Sequence, residues 1–236
     1  MAGGRGLGLE KAVVLLSGGL DSATVLYLAK ARGLKCSCLF FDYGQRHRKE
    51  ISSAKALARR AGCHIEIVKI KFPWKGSALL DRSLDIPKHK KISETLGSNI
   101  PNTYVPARNI VFLSFALSYA ETIRAESIFI GAHSQDYSGY PDCRPEFYQA
   151  FIKAANLGTK SAVLGKKIKI ETPLIRMNKS QIIKAGLRLG VPFELTWSCY
   201  EGARLPCGVC DSCLYRLKGF KDLNIKDPLL ATRAAY

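Results

Sequence analysis

The chain predicts an α/β fold, in which a parallel sheet carries helices on both faces and a small C-terminal segment binds a metal. Three observations carry this expectation. Short apolar runs alternate with segments of helical periodicity, the first run ends in a glycine–serine turn that opens a helix, and four of the eight cysteines crowd into residues 199–213.

The strand candidates, in order, are Ala12–Leu16, Cys36–Phe41, Ile65–Ile70, Ser127–Gly131 and Ile168–Leu174. Helical periodicity covers Asp21–Ala31, Gln45–Ala61, Arg108–Arg124, Pro145–Asn156 and Lys179–Leu189. Such alternation argues for parallel strands buried on both faces, with ligands at the strand carboxyl ends. Three motifs obey that rule: Ser17–Ser22, Asp42–His47 and Ala132–Asp136 each follow a strand and should face one crevice. Phe72–Thr103, with three prolines and no clear period, reads as a long excursion between the third strand and the next helix.

With 236 residues and 47% hydrophobic content, the chain buries a sizeable core. It divides into a nucleotide-binding domain over 1–195 and a metal-binding segment over 196–236 packed on it. No apolar run reaches the roughly 18 residues a membrane span needs. The start, Met1–Gly6, lacks the apolar stretch of a signal peptide and reads as a frayed leader, so a cytoplasmic protein is expected. The net charge of +17 is spread over Arg46–Lys49, Lys88–Lys91 and Lys166–Lys169. No RNA-recognition module accompanies it, and a solvated lysine-rich surface is favoured over direct nucleic-acid binding.

Ser17-Gly18-Gly19-Leu20-Asp21-Ser22 follows the buried run Ala12–Leu16. The glycines let the backbone approach an anion, the helix start offers unpaired N–H groups, and the serines add hydroxyl donors. The Lys of a G-x-x-x-x-G-K-[ST] loop is missing, which disfavours a grip on a γ-phosphate and favours pyrophosphate. A plain β-to-α turn capped by Ser17 or Asp21 is the competing account. Cys199, Cys207, Cys210 and Cys213, spaced C-x7-C-x2-C-x2-C, suit a closed shell around Zn²⁺. An iron–sulfur cluster fits the same spacing. Cys36, Cys38 and Cys63 read as core residues, and Cys143 lies inside another motif.

Several separate motifs agree on one family. Ser17–Ser22, Phe41–His47, Val105-Pro106-Ala107-Arg108-Asn109, Tyr140-Pro141-Asp142-Cys143-Arg144, Thr172-Pro173-Leu174 and Trp197-Ser198-Cys199-Tyr200 with the trailing cysteines resemble the QueC family of PP-loop ATP pyrophosphatases. The resemblance covers nearly the whole length. It implies a Rossmann-like sheet of the adenine nucleotide alpha hydrolase type, a bound zinc and commonly a homodimer. The implied reaction is the ATP-dependent conversion of 7-carboxy-7-deazaguanine and ammonia to the nitrile, on the way to queuosine or archaeosine in tRNA.

That chemistry assigns roles. A carboxylate is a poor electrophile, so adenylation makes its oxygen a leaving group; ammonia then gives an amide, which is adenylated again before AMP leaves and the nitrile forms. The ATP set is Leu16, Ser17, Gly18, Gly19, Leu20, Asp21, Ser22 and Arg108, with Mg²⁺ on the Asp21 carboxylate unless Asp21 is a simple cap. Arg108 and Lys179 are charge partners for departing pyrophosphate, although Lys179, opening a helix after Asn178, also suits a solvated position. Asp136, Tyr140, Asp142, Arg144 and Phe147 form the deazapurine set, with carboxylates on the amino edge, an aromatic ring on the face and Arg144 on the substrate carboxylate. His47 and Asp42 are possible proton acceptors, the His with a pKa lowered by neighbouring Arg46 and Arg48. Rival readings are a PP-loop tRNA thiolase with an iron–sulfur cluster, and a non-catalytic nucleotide sensor or zinc-ribbon scaffold.

Overall fold

The computed structural model describes residues 9–92, 100–133 and 139–231. The sheet contains β1 (Lys11–Leu15), β2 (Lys35–Asp42), β3 (His64–Lys69), β4 (Ser127–Phe129) and β5 (Lys169–Glu171). All pairings are parallel, in the order β3-β2-β1-β4-β5. Strand order therefore reverses between β1 and β4, which opens a crevice at their carboxyl ends.

Alternate β1 side chains serve opposite cores. Ala12 and Val14 join Cys38, Phe40 and Phe129 on one face, beneath α1 (Leu20–Ala31), α2 (Lys49–Arg60) and α6 (Lys179–Arg188). Val13 and Leu15 join Leu39, Phe41 and Ile128 on the other, beneath α3 (Arg108–Ile123) and α4 (Pro145–Gly158). Both faces are thus covered, as the unbroken apolar strands require.

The expected elements are present with shifted bounds. β4 and β5 are three residues each, shorter than their apolar runs, and Ile130, Gly131 and Ala132 beyond β4 line the crevice. Helix α2 starts at Lys49 rather than Gln45. Gln45 instead closes a turn, its Oε1 accepting from Tyr43 N–H at 2.9 Å. Short α5 (Lys160–Val163), α7 (Asp211–Lys221) and α8 (Pro228–Ala231) were not expected.

Described residues of the 72–103 excursion form turns without a strand or α-helix, and Arg46 ties them down. Its Nε donates to Ala78 O at 2.6 Å and its Nη2 to Asp81 O at 3.0 Å and to Leu84 O. Residues 196–231 pack on the preceding chain through Phe220, which sits in the α1 and α6 core, and through Arg216, whose Nη2 donates to Phe193 O at 3.1 Å. Arg216 Nε and Nη2 reach Asp227 at 2.6 and 2.8 Å, and Nη1 donates to Thr196 Oγ1 at 2.6 Å. Such a two-pronged pair locks orientation as well as charge. Among the described residues no helix is long and apolar enough to cross a membrane.

Candidate active site

The crevice between the carboxyl ends of β1 and β4 is a cleft of about 250 Å³. The Ser17–Ser22 loop forms its floor. Gly18 takes φ +86°, and a Cβ there would lie 2.4 Å from Glu50 O, so only glycine lets the loop rest on the first turn of α2. Gly18 O accepts from Trp197 N–H at 2.9 Å, which pins the loop from the C-terminal side. Ser17 Oγ and Ser22 Oγ are 3.0 Å apart.

The N-cap of α1 is Gly19, and no side chain caps the helix. Neither Ser17 nor Asp21 is therefore a simple cap, and the helix start leaves N–H groups without a side-chain partner beside the cleft. Ser17, Gly19, Asp21, Ser22 and Leu16 line the cleft. Leu20 is buried in the core, and Gly18 lies beneath the loop.

Lys179 is not solvated. Its Nζ lies 2.7 and 2.9 Å from the two Asp21 oxygens and 2.9 Å from His133 Nε2. Burial alone would raise the Asp21 carboxyl, but the facing Lys179 and His133 outweigh it and hold Asp21 far below the usual carboxylate range. His133, 3% exposed, belongs to the Ala132–Asp136 motif expected at the crevice, though the sequence assigns it no role of its own. The signal for it was the position of that motif directly after the fourth strand, and in the structure Gly131 packs against Ser22 at the start of α1.

Arg108 enters from the opposite wall. Ala107 is held at φ +55° as the residue before α3, an uncommon conformation for alanine that aims Arg108 at the helix start into the cleft. Arg108 Nη1 donates to Tyr43 Oη at 3.3 Å. Among the described residues that is its side chain's one hydrogen bond, which leaves most of the guanidinium fork facing the cleft.

The deazapurine set divides. Tyr140 lines the cleft, its hydroxyl 2.8 Å from Thr103 Oγ1. Asp142 is buried behind the wall, where its Oδ2 accepts from Asn109 N–H at 2.9 Å. Cys143 does line the cleft and meets Asn109 Nδ2 at 3.2 Å. Arg144 is exposed at the N-cap of α4, and Phe147 packs against Tyr148 and Phe151 in the α3 and α4 core. Asp136 lies outside the described residues.

His47 faces the cysteine segment instead of the cleft. Its ring fills the space a Cβ on Gly202 would occupy, with 6.3 Å between the His47 and Trp197 ring centres. Its pKa is lowered, as anticipated, yet burial is the largest cause and not Arg46 or Arg48. Asp42 closes β2 opposite Lys69. Lys49 stacks over Trp197, its Nζ 4.2 Å from the ring centre and bonded to Arg204 O at 2.9 Å. Residues 47–49 thus bind the cysteine segment to the side of the cleft that carries the Ser17–Ser22 loop.

The four thiols of Cys199, Cys207, Cys210 and Cys213 have ligand atoms within 4.8 Å of one another. A tetrahedral shell with metal–sulfur bonds of about 2.3 Å needs sulfurs about 3.8 Å apart, and Cys207 and Cys213 already stand at 4.0 Å. The donor set fits a metal ion with little movement. Cys36 and Cys38 are buried core thiols and Cys63 is half-buried against the same core.

A switch-point cleft floored by this glycine–serine loop, with Asp21, Lys179 and Arg108 around it, defines a PP-loop ATP pyrophosphatase. The chain belongs to the QueC family, since the family model described as queuosine biosynthesis protein QueC matches residues 11–224. It is 53% identical over 222 residues to the 7-cyano-7-deazaguanine synthase of Nostoc punctiforme, covering 93% of this chain and 99% of that one. It is 54% identical over 223 residues to the enzyme of the same name from Acetivibrio thermocellus, covering 94% and 97%. In fold it is similar to the NMN synthetase of Francisella tularensis, with a TM-score of 0.50, 15% identity, and 92% and 79% of the two chains covered.

Proposed function

We propose that the chain catalyses the ATP-dependent conversion of 7-carboxy-7-deazaguanine and ammonia to 7-cyano-7-deazaguanine, through adenylated acid and amide. The observation that carries this reading is 53% identity across 93% of the chain to an enzyme named for that product. The cleft supplies matching chemistry. The uncapped start of α1 and the Ser17 and Ser22 hydroxyls receive the phosphates, and Arg108 meets the charge that develops on departing pyrophosphate. Lys179 keeps Asp21 ionised and fixed, so a carboxylate is ready for Mg²⁺ brought in with ATP. Tyr140 offers a ring face for the deazapurine. The reaction passes through this one site twice.

Zinc on Cys199, Cys207, Cys210 and Cys213 would be structural, because four thiolates leave no open position. It would brace Trp197 against the phosphate loop. A cytoplasmic homodimer using free ammonia completes the reading, and the nitrile passes on toward queuosine or archaeosine in tRNA.

The test is incubation of the purified protein with ATP, 7-carboxy-7-deazaguanine and ammonium. Nitrile, AMP and pyrophosphate are expected by mass spectrometry. Absence of all three, or a brown protein whose metal is iron, overturns the reading.

A further inference from the structure

Glu50 lies in the first turn of α2 and lines the same cleft as Ser17, Tyr43 and Arg108. Its backbone is the surface on which Gly18 rests, so its side chain is placed beside the phosphate loop by close packing. Among the described residues the carboxylate has no hydrogen-bond donor and no ion-pair partner within bonding distance. The charged and titratable groups in electrostatic reach are Arg108 from α3 and Tyr43 from the turn after β2. Lys49 on its own helix, and His47 just before it, turn toward Trp197.

Among the described residues the other cleft carboxylate, Asp21, is committed elsewhere. Both Asp21 oxygens are bonded to Lys179, which suits a fixed anion and not a proton acceptor. Burial pushes the Glu50 carboxyl up to about 7, with Arg108 opposing the rise, so it exchanges protons near neutral pH.

We propose that Glu50 is the proton acceptor for the nitrogen nucleophile, an assignment that rests on the ligase reading above. In the first half, the ammonia lone pair forms the C–N bond at the adenylated carboxyl carbon. The C–O bond to AMP breaks with its electron pair going to AMP, and Glu50 takes a proton from the cationic nitrogen. In the second half, the O-adenylated amide gives up its nitrogen protons one at a time to Glu50. The C–O bond to the second AMP breaks, and the C≡N bond closes. Glu50 returns each proton to water before taking the next. Its neighbour Arg108 is then shared between pyrophosphate departure and tuning of the base.

The experiment compares wild type, Glu50→Gln and Glu50→Asp in two assays. One is pyrophosphate exchange into ATP, dependent on 7-carboxy-7-deazaguanine, which reads adenylation alone. The other is nitrile formation across pH, plotted against free ammonia so that ammonium titration is removed. For Glu50→Gln, nitrile formation should fall by about 10²-fold or more while exchange falls by less than about tenfold. The acid limb near pH 7 in the wild-type profile should vanish from the residual Gln activity. Glu50→Asp should keep partial turnover with a displaced limb.

The assignment is overturned if Glu50→Gln turns over within threefold of wild type, or keeps the limb, or loses exchange and turnover together while its melting curve stays cooperative. Should the Gln protein not fold, an unmoved limb in Glu50→Asp overturns it instead. A wild type that makes no nitrile sinks the ligase reading, a different result from any of these.

Discussion

Lys179 Nζ bridges the two carboxylate oxygens of Asp21 at 2.7 and 2.9 Å, joining the first turns of α6 and α1 across 158 residues of chain. Each residue keeps the other charged and in place. Lys179→Met leaves a partly buried carboxylate beside His133 alone. It should cost about 1–3 kcal/mol in urea unfolding. It should also lower kcat/KM for pyrophosphate release by roughly 10²-fold, since a fixed charge beside the phosphates is lost. Full activity in Lys179→Met would show that the pair only braces the fold.

Gly18 tests the loop itself. Gly18→Ala must hold alanine at φ +86° and push the Glu50 carbonyl away from a 2.4 Å contact. The left-handed conformation alone costs roughly 1–2 kcal/mol, and the displaced first turn of α2 adds to it. A weaker affinity for a non-hydrolysable ATP analogue is expected by calorimetry.

Burial makes Glu50 a stability liability that grows with pH. Its folded pKa, about 7, stands above the ordinary 4.5, so folding favours the protonated carboxyl. The contribution is fully present below about 4.5 and is lost as pH rises through 7. Glu50→Gln should therefore gain up to about 3 kcal/mol over wild type at pH 8 and nothing at pH 4. Equal gains at both pH values would refute the shift.

Arg216 and Asp227, each side chain 5% exposed or less, hold α7 to the 193–198 turn. Truncating one partner strands the other charge. Arg216→Met should lose about 3–5 kcal/mol. Arg216→Lys should recover little, because an ammonium cannot reach Asp227 with two prongs while meeting Thr196.

For the cysteine cluster, one zinc per chain is expected by elemental analysis. Chelation should lower the melting temperature by roughly 10 °C, and change Trp197 fluorescence because Cys199 O accepts from the indole N–H at 2.8 Å. Cys210→Ser should do the same without chelator.

Much of the architecture was readable because its signals are local. Val13 and Val14 face opposite cores in a strand that is apolar throughout, so the run announces a doubly covered strand before any partner is known. The thiol spacing likewise predicts its own cluster. Helix α7 was hidden because the same cysteines that mark the metal site interrupt its start. Leu214 and Phe220 carry the helical pattern only once Cys210 is taken as the N-cap. Gln45 to Arg48 read as helix on periodicity, yet Gln45 closes a turn and Arg46 spends its guanidinium on loop carbonyls.

By itself the sequence determined the α/β class, the glycine–serine turn after β1, the cysteine cluster and the family, since each is written in a short run of residues whose chemistry depends on spacing alone. The tertiary structure decided which side chains share the cleft. It joined Asp21 to Lys179 and His133, brought Glu50 beside Gly18, and turned Asp142, Arg144 and Phe147 away from the cleft. Those outcomes depend on contacts between residues far apart in the chain, where burial and facing charges, not local pattern, set the position and protonation of each group.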